Sequence, residues 1–362
     1  MTTPQFRQAL ESIPAYKAGR PAAPGAAASF KLSSNENPYP PLPSVLEAVA
    51  DAAKVLNRYP DMGVARLHQA LADGLRADVG QIASGAGSVA VLYHLLQATC
   101  EAGDEVVYAW RSFEAYPIAV GLTGATSVQI PVGAQGRHDL DAMLAAITER
   151  TRVLLVCTPN NPTGPAVHAN ELSDLLEEVP HHVLVVVDEA YREFVTDPDA
   201  PDAVELTRGH PRAVVLRTFS KAYGLAGLRV GYAVGPPRVA EAIRKCSLPF
   251  GVSQIAQVAA VASLDADAEM RERVAALVAE RARVLERLDD QGWSIPDAQG
   301  NFIWLGLGDR SSDFAADCET AGVAVRPFQG DGVRVTIGEP EADDLVLTVA
   351  EKWARSASAR AT

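Results

Sequence analysis

Positive charge is the first thing this sequence is short of. Over 362 residues, 32 Lys and Arg stand against 45 Asp and Glu, for a net charge of −13. Phosphate backbones are bound mainly by clustered Lys and Arg, so nucleic acid is not an expected partner. Long apolar runs are missing too. No stretch reaches the roughly eighteen residues a membrane helix needs, so no membrane span is expected. The opening "MTTPQFRQALESIPAYKAGR" lacks a basic start followed by an apolar stretch, the signature of a secretory leader. Cysteine is scarce: Cys100, Cys157, Cys246 and Cys318 are widely spaced and form no C-x-x-C pair. That pattern suits a cytoplasmic protein with reduced, mostly buried thiols. Histidine offers no metal motif. His181 and His182 stand in a loop with no partner pattern and read as surface, so no metal site is expected.

What is present is an ordinary globular balance, 48% apolar and 21% charged, long enough to favour two domains over one. Residues 1–43 read as an irregular, Ala- and Pro-rich arm that joins the smaller domain. Residues 44–265 alternate helical and β-branched segments. "SVLEAVADAAKVL", "VARLHQALADGL" and "VAVLYHLLQATC" have helical periodicity. "EVVYA", "TSVQI", "RVLLVC", "VLVVV", "AVVL" and "RVGYAV" read as strands. Strands this uniformly apolar are buried on both faces, which predicts an α/β fold with a mostly parallel sheet wrapped by helices. Residues 266–362 change texture and read as a smaller α+β domain that begins with a long charged helix. No internal repeat is visible, and "DPDAPD" reads as a solvated acidic loop.

In open α/β sheets, ligands gather at the carboxyl ends of the strands. Four such ends carry chemistry. "VLVVVDEAY" places Asp188 after a buried run, with Tyr191 three residues on. "RVLLVCTPNNPTG" delivers Asn160 and Asn161. "AVVLRTFSK" delivers Thr218, Ser220 and Lys221, with Arg229 eight residues further. "QIASGAGSVAVLYHLL" sets Gly85, Gly87 and Ser88 at a helix start, where free backbone N–H groups suit a phosphate.

That last stretch also reads G-x-G-x-x-A, the fingerprint of a dinucleotide site. The acidic residue expected after the next strand is missing, because "EVVYA" runs into Trp110 and Arg111. A dinucleotide would also leave Lys221, Asp188 and Asn161 without roles. Pyridoxal 5′-phosphate uses every piece: an amine for its aldehyde, an anion for its ring nitrogen, a helix start and an arginine for its phosphate. Lys221, Asp188, the Ser88 helix start and Arg229 supply these in turn. Asn161 and Tyr191 are placed to hydrogen-bond the phenolic oxygen.

The motifs "SNENPYP", "NRYPD", "TPNNPTG", "DEAY" and "TFSKAYGLAGLRVGY" resemble those of the fold-type I pyridoxal-phosphate aminotransferases, in the histidinol-phosphate aminotransferase-like branch. The match runs from Pro14 to Gly338 with the motifs in family order. "WRSFEAYP" and "VRVTIG" are closer to the actinobacterial aromatic amino acid aminotransferases of that branch. The resemblance implies a large domain with a mostly parallel seven-stranded sheet, a smaller α+β domain, and a homodimer with shared active sites. It implies catalytic roles for Lys221, Asp188 and Tyr191. Lys221 bonds the cofactor aldehyde and shuttles a proton, Asp188 pairs the ring nitrogen, and Asn161 and Tyr191 hold the phenolic oxygen. Thr218, Ser220, Arg229 and the Gly87–Ser88–Val89 loop bind the phosphate, and Tyr59 reaches it from the neighbouring subunit. Phe113 stacks on the ring, Arg334 grips the substrate carboxylate, and Asn37 and Tyr16 lie on the substrate side.

The implied reaction moves an amino group from phenylalanine or tyrosine, and tryptophan by extension, to a 2-oxo acid such as 2-oxoglutarate in a ping-pong cycle. Histidinol phosphate is the rival donor. The chain departs from the family at Ser88-Val89-Ala90, where Ser-Asp-Glu is common, and at "YKAGR", where Tyr-x-Pro-Gly-Lys is usual. Outside this context, Arg334 reads as an ordinary strand arginine, and Phe113 and Tyr116 as core aromatics.

Overall fold

The computed structural model describes residues 4–17, 19 and 29–361. Arg20, which ends the "YKAGR" stretch, lies outside them. A short strand, β1 (Phe30–Lys31), precedes seven strands that form one sheet. These are β2 (Ile82–Gly85), β3 (Glu105–Trp110), β4 (Thr126–Pro131), β5 (Thr151–Cys157), β6 (Leu184–Asp188), β7 (Ala213–Thr218) and β8 (Gly231–Val234). Their spatial order is β2-β8-β7-β6-β5-β3-β4, and only β8 runs against its neighbours.

The uniform apolarity of the central strands dictates this arrangement. Val185, Val186 and Val187 of β6, with Val214, Val215 and Leu216 of β7, are each at most 1% exposed. Both faces therefore need helical cover, which parallel crossovers provide. On one face, helices Ser88–Thr99 and Ala115–Thr123 set Leu92, Leu95, Tyr116 and Val120 against Val106, Val153 and Val186. On the other, Leu67, Leu71, Leu172 and Leu175 pack with Val107, Leu154, Val185 and Val215. Strand β2 has no strand signature in the sequence. Its four residues, Ile-Ala-Ser-Gly, are too few and too small, and β8 holds it in place from Ile82↔Val234 to Gly85↔Gly231.

A smaller α+β unit follows, with β9 (Phe302–Leu305), β10 (Val323–Ala324), β11 (Arg326–Phe328) and β12 (Gly332–Thr336). Strands β11-β12-β9 form an antiparallel sheet, while β1 pairs in parallel with β10. The chain thus returns its N-terminal strand to its C-terminal part. The long helices Asp267–Asp290 and Pro340–Ala361 complete this unit. Among the described residues no helix is long and apolar enough to cross a membrane.

From β3 the chain steps outward to β4, then returns to β5 and proceeds to β6 and β7 on the other side. The reversal leaves a crevice between the ends of β3 and β5, the usual ligand position in such sheets. The end of β7 is anchored by a buried charge. Arg217 bonds Glu189 Oε2 at 2.7 and 3.0 Å and Asp202 Oδ1 at 2.7 Å. Asp202 belongs to the acidic loop expected to be solvated. Besides this pair, it accepts from Val204 N at 3.0 Å and caps helix Ala203–Leu206. Removing one member of a buried pair leaves the other uncompensated, at a cost of about 3–5 kcal/mol. Arg217→Met is therefore expected to lower unfolding free energy by at least about 3 kcal/mol in urea denaturation, and a loss below about 1 kcal/mol would contradict this reading.

Candidate active site

The carboxyl ends of β2, β3, β5, β6 and β7 open onto one cleft of about 310 Å³. Its walls include Ser88, Val89, Phe113, Asn161, Asp188, Tyr191, Thr218, Ser220, Lys221, Arg229, Arg334 and Tyr16. Residues far apart in sequence are gathered here because each follows a strand of the one sheet or the small unit facing it.

Lys221 lies just past β7, and its Nζ donates to the carbonyls of Ser34 at 3.1 Å and Asn35 at 3.2 Å. Burial pushes this amine down to about 7, helped by the positive charges of Arg334 and Arg229 and opposed by Glu36. The lysine is thus held near the point where its free amine forms at neutral pH, as a nucleophile or proton carrier requires.

Asp188 ends β6 at 7% exposure. Its Oδ2 accepts from Tyr116 Oη at 2.8 Å, while the buried Oδ1 has no hydrogen-bond partner within the protein. Burial raises this carboxyl to about 6, against the hydrogen bonds from Tyr116 and the Ala190 backbone. A buried carboxylate oxygen without a partner is costly, and a cationic ring N–H would satisfy it.

On the opposite wall, Arg334 of β12 donates from Nη1 to Asn161 Oδ1 at 2.7 Å and from Nη2 to the Ser33 carbonyl at 2.8 Å. Its buried Nε has no partner. Tyr191 is 4% exposed and accepts from Asn35 Nδ2 at 3.0 Å. Burial pushes its phenol upward, with Arg334 opposing.

The phosphate corner is shaped by backbone. Gly87 precedes helix Ser88–Thr99 at φ +84°, and a Cβ there would lie 2.5 Å from Arg229 Nη2. At Gly231 a Cβ would lie 2.3 Å from the Ser88 nitrogen, so side chains are excluded beside the helix start. The first-turn N–H groups of this helix, Ser88 and Val89 among them, have no intrahelical acceptor. Arg229 Nη1 donates to Ser220 Oγ at 3.3 Å, and Thr218 Oγ1 accepts from Ser220 N at 3.1 Å. A cation, two hydroxyls and open amides suit an anion. Together with the lone Asp188 Oδ1 and the depressed Lys221, these groups fit pyridoxal phosphate.

Two expected residues lie elsewhere. Asn37 does not line the cleft. Its amide donates to the carbonyls of Lys221 at 3.3 Å and Ala222 at 3.0 Å, bracing the lysine's backbone from outside. Asn35 is the asparagine of "SSNENPYP" that reaches Tyr191, and the spacing of the two gives no way to choose between them. Tyr59 is 81% exposed and stacks on Phe250 with centroids 4.5 Å apart, away from this protomer's cleft. Tyr116, readable only as a core aromatic, proves to hold Asp188. The signal was available in principle, since a buried phenol needs a partner.

The depressed Lys221 carries a pH expectation. Below about 7 it is an ammonium ion, and above that value the free amine dominates. Rebinding of pyridoxal phosphate by the apoprotein, trapped covalently with borohydride, should rise with pH and level off just above 7. A rate still climbing past about 9, as for an ordinary lysine, would contradict it.

Residues 28–349 match the family described as aminotransferase class I and II. An aromatic amino acid aminotransferase of Streptomyces avermitilis is 58% identical over 352 residues, covering 97% of this chain and 98% of its own. One from Thermobifida fusca is 56% identical, covering 97% of both chains. Among solved structures, histidinol-phosphate aminotransferase from Sinorhizobium meliloti, in complex with pyridoxal-5′-phosphate, superposes with a TM-score of 0.87. It is 27% identical, covering 98% of this chain and 99% of its own. A match over nine-tenths of the chain, with relatives more than half identical, makes this protein a member of the class I and II aminotransferases.

Proposed function

We propose that this protein is a pyridoxal-phosphate aminotransferase acting on aromatic amino acids, phenylalanine and tyrosine foremost, with tryptophan as a further donor. The observation that carries the reading is Arg334. Its bonds go to neutral acceptors, and the rings of Phe302 and Phe328 lie 5.8 and 6.0 Å from its guanidinium. A guanidinium without a carboxylate partner, set among aromatic walls, suits one substrate carboxylate and an apolar side chain. The aromatic aminotransferases more than half identical to this chain support the same reading.

When bound, pyridoxal phosphate supplies an aldehyde for the amino group and a ring that accepts the electron pair left on Cα. The protein's part is placement and proton movement. Arg334 fixes the donor carboxylate, with Asn161 steadying the guanidinium. Phe113 would lie against the cofactor ring, Asp188 would hold its nitrogen, and Arg229, Ser220, Thr218 and the Gly87–Ser88–Val89 amides would hold its phosphate. Tyr191 and Asn161 would hold the phenolic oxygen. Lys221 Nζ, held by the Ser34 and Asn35 carbonyls, is the base placed to take up and carry the Cα proton. Tyr16, at the rim, borders the substrate side. A 2-oxo acid such as 2-oxoglutarate takes the amino group in the second half of a ping-pong cycle, in the cytoplasm.

With 2-oxoglutarate as acceptor, kcat/KM should favour phenylalanine and tyrosine over histidinol phosphate by at least tenfold. Arg334→Gln should lower the phenylalanine value on the order of a hundredfold, the loss of a charge-assisted pair. A preference for histidinol phosphate would overturn the reading in favour of a histidine-forming enzyme.

The proposed active unit is a homodimer in which Tyr59 serves the neighbour's phosphate corner. The exposed Tyr59–Phe250 stack, with Leu56, Met62 and Leu248 each at least 60% exposed, supplies an apolar face suited to a second copy. Mixing Tyr59→Phe with Lys221→Ala subunits places both lesions in one site of the heterodimer and none in the other. Activity should rise above both parents, and no rise would count against shared sites.

A further inference from the structure

Arg326 and Arg334 stand directly opposite in the β11–β12 register, and both line the cleft. Paired residues of adjacent strands point to the same face, so two guanidinium groups lie side by side on one wall. Their partners differ. Arg334 bonds only neutral acceptors, whereas Arg326 Nη2 donates to Glu114 Oε2 at 2.8 Å and to the Lys17 carbonyl at 2.6 Å. The ion pair is shielded, with the Arg326 side chain 11% exposed and that of Glu114 30%. Glu114 lies immediately after Phe113, at the start of helix Ala115–Thr123. The wall therefore shows a substrate one uncompensated cation and one neutralised cation.

A ping-pong aminotransferase meets a problem that this arrangement answers. One pocket must hold a donor with an apolar side chain and then an acceptor whose far end is a carboxylate. Resting on the reading above, we infer that Glu114 is an exchangeable counter-ion for Arg326. With the pair closed, the wall beside Phe328 is electrically neutral and accepts an aromatic ring. When a dicarboxylate enters, its distal carboxylate takes the place of Glu114 on Arg326, and Glu114 turns toward water at the rim. The Lys17 carbonyl and the Phe328 ring, 5.7 Å from the guanidinium, keep Arg326 in position during the exchange. Displacing a paired carboxylate lowers dicarboxylate affinity, so Glu114 sets the balance between the two substrate types.

Two unreactive ligands read this balance without turnover. 3-Phenylpropanoate has the shape of an aromatic donor, and glutarate that of a dicarboxylic one. Their dissociation constants are measured on the pyridoxal-phosphate enzyme from changes in cofactor absorbance. Glu114→Gln should tighten glutarate at least tenfold relative to 3-phenylpropanoate. Arg326→Gln should weaken glutarate at least tenfold relative to 3-phenylpropanoate, which keeps the inference falsifiable if the first variant does not fold. In separate half-reactions, Arg326→Gln should raise KM for 2-oxoglutarate far more than for phenylalanine. A purely structural ion pair would move both ligands in parallel, and that result, or an unchanged ratio, overturns the inference. If wild-type enzyme fails to convert phenylalanine at all, it is the aromatic reading that falls. If it converts phenylalanine but the ligand ratio ignores Glu114, only the counter-ion assignment falls.

Discussion

Two cations, Lys221 and Arg334, share one desolvated cleft, and neither has a carboxylate hydrogen-bonded to it. In a medium less polarisable than water their repulsion is large. Arg334 keeps its charge at neutral pH because guanidinium is so basic. The lysine is the one that yields: burial first, and the repulsion from Arg334 added to it, bring its amine down to about 7. Much of the surrounding architecture serves to hold this unfavourable pair together. The β1–β10 pairing brings residues 33–35 over the cleft, where their carbonyls accept from both cations. Asn161, at the end of β5, supplies the remaining acceptor. An anionic substrate and a cofactor phosphate would relieve the same repulsion, so the cleft is biased toward them.

A similar logic governs Asp188. A carboxylate buried at a strand end would ordinarily take a proton, and its rise to about 6 expresses that tendency. Tyr116 satisfies Oδ2 and leaves Oδ1 open, which fixes the direction in which the remaining charge points. The tyrosine is itself fully buried between Tyr108 and Phe113, at centroid distances of 5.6 Å to each. Core packing and the orientation of the charged group are therefore one structure. A cationic ring nitrogen bound at Oδ1 would recover part of the stability forgone by burying Asp188.

The mostly parallel sheet was legible because its central strands are dominated by Val and Leu, a pattern that two-sided burial explains, while its count of seven strands came from the family resemblance. The residues at the strand ends were legible for the complementary reason. Asp188, Asn161 and Lys221 each interrupt or end an apolar run, where a polar group needs a purpose. What stayed hidden depends on contacts between distant segments. Nothing local marks Ile-Ala-Ser-Gly as a strand, because Ile82 finds its pairing partner 152 residues away at Val234. Asn35 and Asn37 differ in sequence only by position, and the backbone between them decides which side chain turns inward. Glu114 and Arg326 look like unrelated surface charges until β11 is set against the segment following β3.

The net charge of −13 and the chemistry of the cleft point in opposite directions, and the contrast is informative. The global excess of acid disfavours extended anions, which must lie across much surface. Within the cleft Lys221, Arg229, Arg326 and Arg334 face Glu36, Glu114 and Asp188. Glu114 pairs with Arg326 at 2.8 Å, so the two cancel, and Glu36 is shared with Lys31 at 2.9 Å, which weakens its hold on the cleft and leaves Arg229 and Arg334 to set the local sign. The remaining positive field is confined to a cavity with low-dielectric walls, where it is focused rather than dispersed. A small anion that fits inside meets that field at short range, and a larger one meets the acidic exterior first. Selectivity for small carboxylates over polyanions thus follows from where the cations are buried, not from how many the chain contains.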